Sequence, residues 1–139
     1  MVLPDVNVLL ALAFEAHQHH RAAKAWFGTA DECLLCRMTQ SAFLRLASNP
    51  ALFGDEALDP AGAWSCYDAL ASDDRFTFAP EPLGLEHTWR RLTMMSTFSP
   101  QVWNDRYLAA FAITSAATLV SFDAAFASVP DLDAHVLRS

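Results

Sequence analysis

Three aspartates have the type and placement to carry chemistry: Asp5 in Leu3-Pro4-Asp5-Val6-Asn7, Asp105 in Trp103-Asn104-Asp105-Arg106-Tyr107, and Asp123 in Ser121-Phe122-Asp123. Asp5 and Asp123 each follow a short apolar run, and Asp105 opens a long apolar, helix-like stretch. Carboxylates far apart in sequence but all at element ends can meet at the C-terminal edge of a parallel sheet, where open α/β folds form their sites. Acids gathered there are not buried without a cation, and a hard divalent ion with oxygen ligands is the economical partner. The chemistry this implies is metal-assisted attack on a phosphodiester. Taken singly, each aspartate has an ordinary explanation as a helix cap or a turn former. It is the shared placement that points to a site.

The elements that must position these acids follow from the apolar pattern. Met1-Val2-Leu3 reads as a buried strand ending at Pro4, which lacks an amide donor and suits a strand end. Asn7 then caps a helix through Ala13, and Ala22, Ala23, Trp26, Phe27 and Ala30 recur at helical spacing between His17 and Ala30. Cys33 to Cys36 is a second strand, and Thr39 caps a helix that stops at Ser48-Asn49-Pro50. Residues 51–61 read as a loop, Ala63 to Ala71 as a helix, Arg75 to Phe78 as a strand, and Glu86 to Met95 as a helix. The longest helix spans Trp103 to Ala117, followed by a strand at Thr118 to Ser121, a turn at Ala124 to Ala127 and a last strand at Ala134 to Leu137. Strands alternating with helices predict an α/β fold with a parallel sheet covered on both faces.

With 139 residues, 53% of them apolar and 18% charged, the chain is long enough for one domain over residues 1–139 with a real core. Sixteen acids against nine bases give a net charge of −7, which argues against gripping nucleic acid by overall charge. A nuclease is still compatible, because divalent ions and local arginines offset the average. Eight of the nine bases are Arg, which suits a planar grip on phosphate. Cys33, Cys36 and Cys66 form no disulfide framework and fit a reducing cytoplasm. No stretch reads as a signal peptide or is long enough to span a bilayer, so a soluble cytoplasmic protein is expected.

Several stretches together carry a family likeness. Leu3-Pro4-Asp5-Val6-Asn7-Val8-Leu9-Leu10-Ala11-Leu12, then His17 and His20 leading to Trp26-Phe27, resembles the PIN-domain ribonucleases of bacterial VapC-type toxins. Leu35-Cys36-Arg37-Met38-Thr39-Gln40 through Phe43-Leu44-Arg45, Trp103 to Ala110, and Val120 to Phe126 agree with it in the family's order. The resemblance implies an α/β/α sandwich, a Mg2+ or Mn2+ site, RNA cleavage, a homodimer and a cognate VapB-like antitoxin. By motif position Asp5, Asp105 and Asp123 take the family's first, third and fourth acidic roles. The second falls on Gln40, a departure: its carbonyl oxygen can orient water or a hydrated ion, but it brings no charge. The alternative is therefore a weak or inactive PIN fold that binds RNA or a protein without cutting.

Other readings fail on named residues. An aspartyl-phosphate phosphatase needs a second acid where Asn7 stands, and a receiver domain needs a late Lys, whereas Lys24 is the sole lysine. Cys33 and Cys36 lack a second pair at ligand spacing and, three apart on a strand, point to opposite faces. His17, His19 and His20 read as a polar helix start. Trp64, Trp89 and Trp103 read as core or dimer contacts. Among the arginines, Arg106, favoured because it adjoins Asp105, and Arg45 are the candidates to meet an RNA phosphate.

Overall fold

The structure is a computed structural model and describes residues 1–95 and 99–139. In chain order it runs β1 (Val2–Pro4), α1 (Val6–Ala13), α2 (His20–Phe27), β2 (Cys33–Leu35), α3 (Arg37–Ala47), α4 (Pro50–Phe53), α5 (Pro60–Ala71), β3 (Phe76–Phe78), α6 (Leu85–Leu92), α7 (Val102–Thr114), β4 (Thr118–Ser121) and β5 (Ala134–Val136). A 3-10 turn at Gly54–Glu56 follows α4, and another at Ala124–Ser128 follows β4.

All five strands are parallel, in the order β3-β2-β1-β4-β5. Period-two alternation divides their side chains between two cores. Leu3, Leu34 and Leu119 join one core under α6 and α7, with Leu85, Leu92, Leu108 and Phe111. Cys33, Leu35 and Val120 join the other under α1, α2, α3 and α5, with Leu9, Trp26, Phe43 and Tyr67. Helices on both faces explain why such short strands are almost wholly apolar. The expected α/β/α sandwich is the one observed.

The two thiols part as their spacing predicts, with Cys33 in one core and Cys36 in the other. Burial pushes the Cys33 thiol up to about 11, which leaves it protonated and unreactive at neutral pH. The histidines serve local ends. His20 Nδ1 meets the Ala11 carbonyl at 2.7 Å, His17 Nδ1 accepts from the His19 amide, and the His19 ring stacks on Phe122.

Three expectations about elements need correction. The stretch read as a loop after Asn49 contains α4, because Pro50 occupies the first helical position, where no amide is needed, and the Asn49 side chain caps Ala51 N–H at 2.9 Å. The longest helix stops at Thr114 rather than Ala117. Ala116 takes φ 55° and the Ala117 amide returns to the Ala112 carbonyl at 2.9 Å, a C-terminal closure that glycine usually makes. Finally, the α6 helix ends at Leu92 rather than at the expected Met95. Trp64 and Trp103, read as core or dimer contacts, are 48% and 50% exposed, which leaves the second of these readings for them.

Candidate active site

In this strand order the chain leaves β1 toward β2 on one side and β4 lies on the other, so the topological switch point falls between β1 and β4. A crevice opens there at the C-terminal ends of the strands. Asp5 directly follows β1 and Asp123 follows β4 by two residues. Asp105 arrives from the first turn of α7. The fold thus brings three acids separated by up to 118 positions to one edge.

Asp5 is held on both carboxylate oxygens. Oδ1 caps α1 by accepting from Val6 N–H at 2.7 Å, and Oδ2 accepts from the Ser121 hydroxyl at 2.8 Å. Ser121, fully buried, accepts in turn from the Asn7 amide at 3.1 Å and from Asp123 N–H at 3.0 Å. The Asn7 side-chain oxygen, Oδ1, accepts from Phe122 N–H at 3.3 Å. Asn7 is therefore not the cap of α1. Asp5 takes that role, and Asn7 and Ser121 tie the end of β1 to the end of β4. Asp123 caps the following turn through Ala125 N–H at 2.9 Å. Among the described residues the half-buried Asp105 carboxylate makes no hydrogen bond.

The acids sense one another. Burial raises the Asp5 pKa, the hydrogen bonds from Ser121 and Val6 oppose the rise, and the Asp123 charge adds to it. Burial likewise raises Asp105, reinforced by Asp5 and Asp123 and opposed by Arg106. Acids raised in the fold cost stability when they ionise, so this contribution is favourable below the unfolded value near 3.8 and is lost as pH rises through the folded value. Without metal, Asp105→Asn should therefore melt above the parent at pH 7, with the gap closing as pH falls toward 4. Thermal melts of both proteins across pH in chelator check this; a gap that widens on acidification would refute it.

A depression of about 440 Å3 lies over this edge, lined by Asp5, Asp105, Gln101 and Asn104 and, from α3, by Met38, Thr39, Ala42, Arg45 and Leu46. A second of about 200 Å3 adjoins it at Asp105, walled by Arg106, Val102, Phe126 and Val129. Arg106 also donates to the Leu92 carbonyl at 3.4 Å.

Gln40 is not at the site. It lines a separate depression with Arg37, Tyr67 and Phe78, and its side-chain oxygen accepts from Arg37. The cause is helical phase: residue 40 stands about 200° around α3 from residues 38 and 42. Thr39 does not cap α3 from outside; Cys36 is the cap, and Thr39 accepts from Cys36 N–H at 3.2 Å from within the first turn. Residues 38, 42 and 45 share the face toward Asp5, and Gln40 lies off it. The α3 position that meets the acids is Ala42, so α3 brings no carboxylate to this edge. The spacing of Met38, Ala42 and Arg45 is the sequence signal for this face.

The PIN domain family model matches residues 2–132. The chain is a member of the PIN domain family. It is 40% identical to ribonuclease VapC41 of Mycobacterium tuberculosis over 99% of both chains. PIN structures similar to it include VapBC2 of Rickettsia felis, solved bound to a fragment of its promoter DNA, with a TM-score of 0.72, 13% identity, and 99% and 100% coverage of the two chains. A toxin–antitoxin complex from Klebsiella pneumoniae gives a TM-score of 0.65 at 16% identity, covering 95% of each chain. At these identities the two structures speak for the PIN fold alone, while the VapC41 match places the chain within the sequence family. Among the described residues no helix of this PIN domain is long and apolar enough to cross a membrane.

Proposed function

We propose that this protein is a Mg2+- or Mn2+-dependent endoribonuclease, the toxin of a VapBC-type toxin–antitoxin module, acting in the cytoplasm. The observation that carries the reading is the meeting of Asp5, Asp105 and Asp123 at the switch-point edge in a PIN fold similar to ribonuclease VapC41. All three offer hard oxygen donors, and their mutual repulsion favours a divalent cation. Among the described residues no three acidic, His or Cys side chains stand close enough to grip an ion together. Water would therefore complete the attachment, a habit of Mg2+.

When bound, the cation polarises the phosphoryl oxygen and lowers the pKa of water at the site. The protein's own work is positional. Ser121 and Val6 N–H fix the Asp5 carboxylate, Asn7 and Ser121 hold the Asp123 segment beside it, and Asp105 presents from α7 a carboxylate with no partner among the described residues. The VapB-like antitoxin would inhibit by covering this edge, and its basic residues would suit the acidic depression. Homodimerisation has candidate contacts in the half-exposed Trp64 and Trp103.

The test is cleavage of a labelled RNA by purified protein with Mg2+, with Mn2+ and with chelator. Cleavage that disappears in chelator supports the proposal, and cleavage unaffected by chelator contradicts it. One observation favours the alternative of an RNA-binding PIN fold that does not cut: α3 gives the site no acid. RNA binding with no cleavage under any metal would select it.

Placement on α3 makes a separate prediction. Gln40→Glu should leave Mn2+ affinity unchanged, whereas Ala42→Glu adds a carboxylate beside Asp5 and Asp105 and should tighten Mn2+ by up to about tenfold. Calorimetric titration of the two variants distinguishes the positions, and tightening by Gln40→Glu alone would overturn the register of α3.

A further inference from the structure

The face that α3 turns to the acidic depression carries one charged side chain, and that charge is positive: Arg45. Arg45 is exposed, and among the described residues its guanidinium makes no ion pair and no hydrogen bond. Arg37, Arg75, Arg90, Arg91 and Arg106 each have a partner, and Arg21 and Arg138, which have none among the described residues, do not line this depression. Asp5 and Asp105 line the same depression, yet neither lies within the 4.0 Å of an ion pair with it. Arg45 also lines the next depression along, with Leu44, Ser48 and the exposed Trp64, so it stands where the acidic floor opens outward. An arginine serving the fold would be expected to pair with the acids it faces. Among the described residues this one is left free, at the rim of a depression whose other charged side chains, Asp5 and Asp105, are negative.

We propose that Arg45 is the phosphate-binding residue of this site, taking the phosphodiester of the RNA substrate by a charge-assisted, two-pronged grip. The inference rests on the ribonuclease reading and goes beyond it by assigning the substrate contact to α3. The charge count explains why the site requires such a group. Three carboxylates holding one divalent cation keep a net negative charge, and a phosphodiester approaching them is repelled. A guanidinium at the rim cancels that residue of charge and supplies donors in the geometry of phosphate oxygens. The position beside it, Ala42, leaves room for the substrate where a carboxylate would repel it.

The role has a signature that a purely structural residue lacks, because Arg45 acts on the two ligands in opposite senses. It repels a divalent cation and attracts a phosphate. Arg45→Ala should therefore bind Mn2+ a few-fold more tightly and a short single-stranded RNA about tenfold more weakly. Its RNA-binding salt slope should fall by about 0.7, the value for one lost contact to a single strand. Arg45→Lys should recover part of the affinity and nearly all of the slope, since it keeps the charge and loses the fork.

The measurements are Mn2+ titration calorimetry, and fluorescence anisotropy of a labelled single-stranded RNA with Ca2+ in place of Mg2+ at several salt concentrations. A melting curve verifies folding, and the exposed side chain leaves Arg45→Ala stable. Weaker RNA, tighter Mn2+ and a shallower slope together support the proposal. Unchanged RNA affinity and slope in Arg45→Ala, with the parent protein binding and cutting RNA, would overturn it while leaving the ribonuclease reading in place. Failure of the parent to bind RNA at all would overturn both.

Discussion

Asp105→Asn is expected to leave the protein folded and to lower metal-dependent RNA cleavage by at least about a hundredfold. The size follows from what the side chain does. Its carboxylate is half-buried, has no hydrogen bond among the described residues, and faces the depression that Asp5 also lines. Asparagine keeps the shape and one oxygen but removes the charge that draws a divalent ion. Among the described residues no hydrogen bond or ion pair depends on that charge, and burial and the neighbouring acids outweigh Arg106, so its raised pKa means that the fold is relieved by its loss. Asp5→Asn should show the same loss of cleavage, and its remaining oxygen can still accept from Val6 N–H. Initial rates at saturating Mn2+, with circular dichroism as the control for folding, measure both. Full activity in either folded variant would remove that residue from the metal site.

The second large effect is expected at Ser121, which touches no substrate. Its hydroxyl is fully buried and joins Asp5, Asn7 and the Asp123 amide. Ser121→Ala strips a partner from each of them at once, and a buried polar group left unsatisfied costs about 1–3 kcal/mol. Stability should fall by roughly 2–3 kcal/mol, since partial relaxation keeps the losses from adding fully. Losing the Ser121 donor also removes an interaction that lowers the Asp5 pKa, so the variant should need a higher pH to reach half-maximal metal binding. Urea unfolding and Mn2+ affinity against pH measure the two effects. A variant with parental stability and an unshifted profile would show that Ser121 does not hold Asp5.

The sheet and the three acids were legible because each depended on a local rule. Apolar runs ended by Pro4-Asp5 and by Ser121-Phe122-Asp123 mark strands and their exits, and a parallel sheet then places those exits on one edge. What the sequence concealed were the places where a residue did an unexpected job. On α3 the helical phase turns Ala42 and Arg45 toward the acids and Gln40 away from them, a difference that the place of Gln40 after Thr39 in the motif does not carry. Ala116 closes α7 in a backbone conformation that glycine usually marks, so the apolar pattern ran past the true end. Ser121 drew no notice because a serine at a strand end is ordinary. Its importance lies in contacts to Asp5 and Asn7 more than a hundred positions away, which no local pattern encodes.

Anomalous diffraction from crystals grown with Mn2+ shows whether Asp5, Asp105 and Asp123 hold a divalent cation at the switch-point edge. One anomalous peak between these carboxylates, lost in Asp105→Asn, is expected. A Mn2+ peak elsewhere on the molecule, in crystals of protein that cleaves RNA with Mn2+, would contradict that assignment.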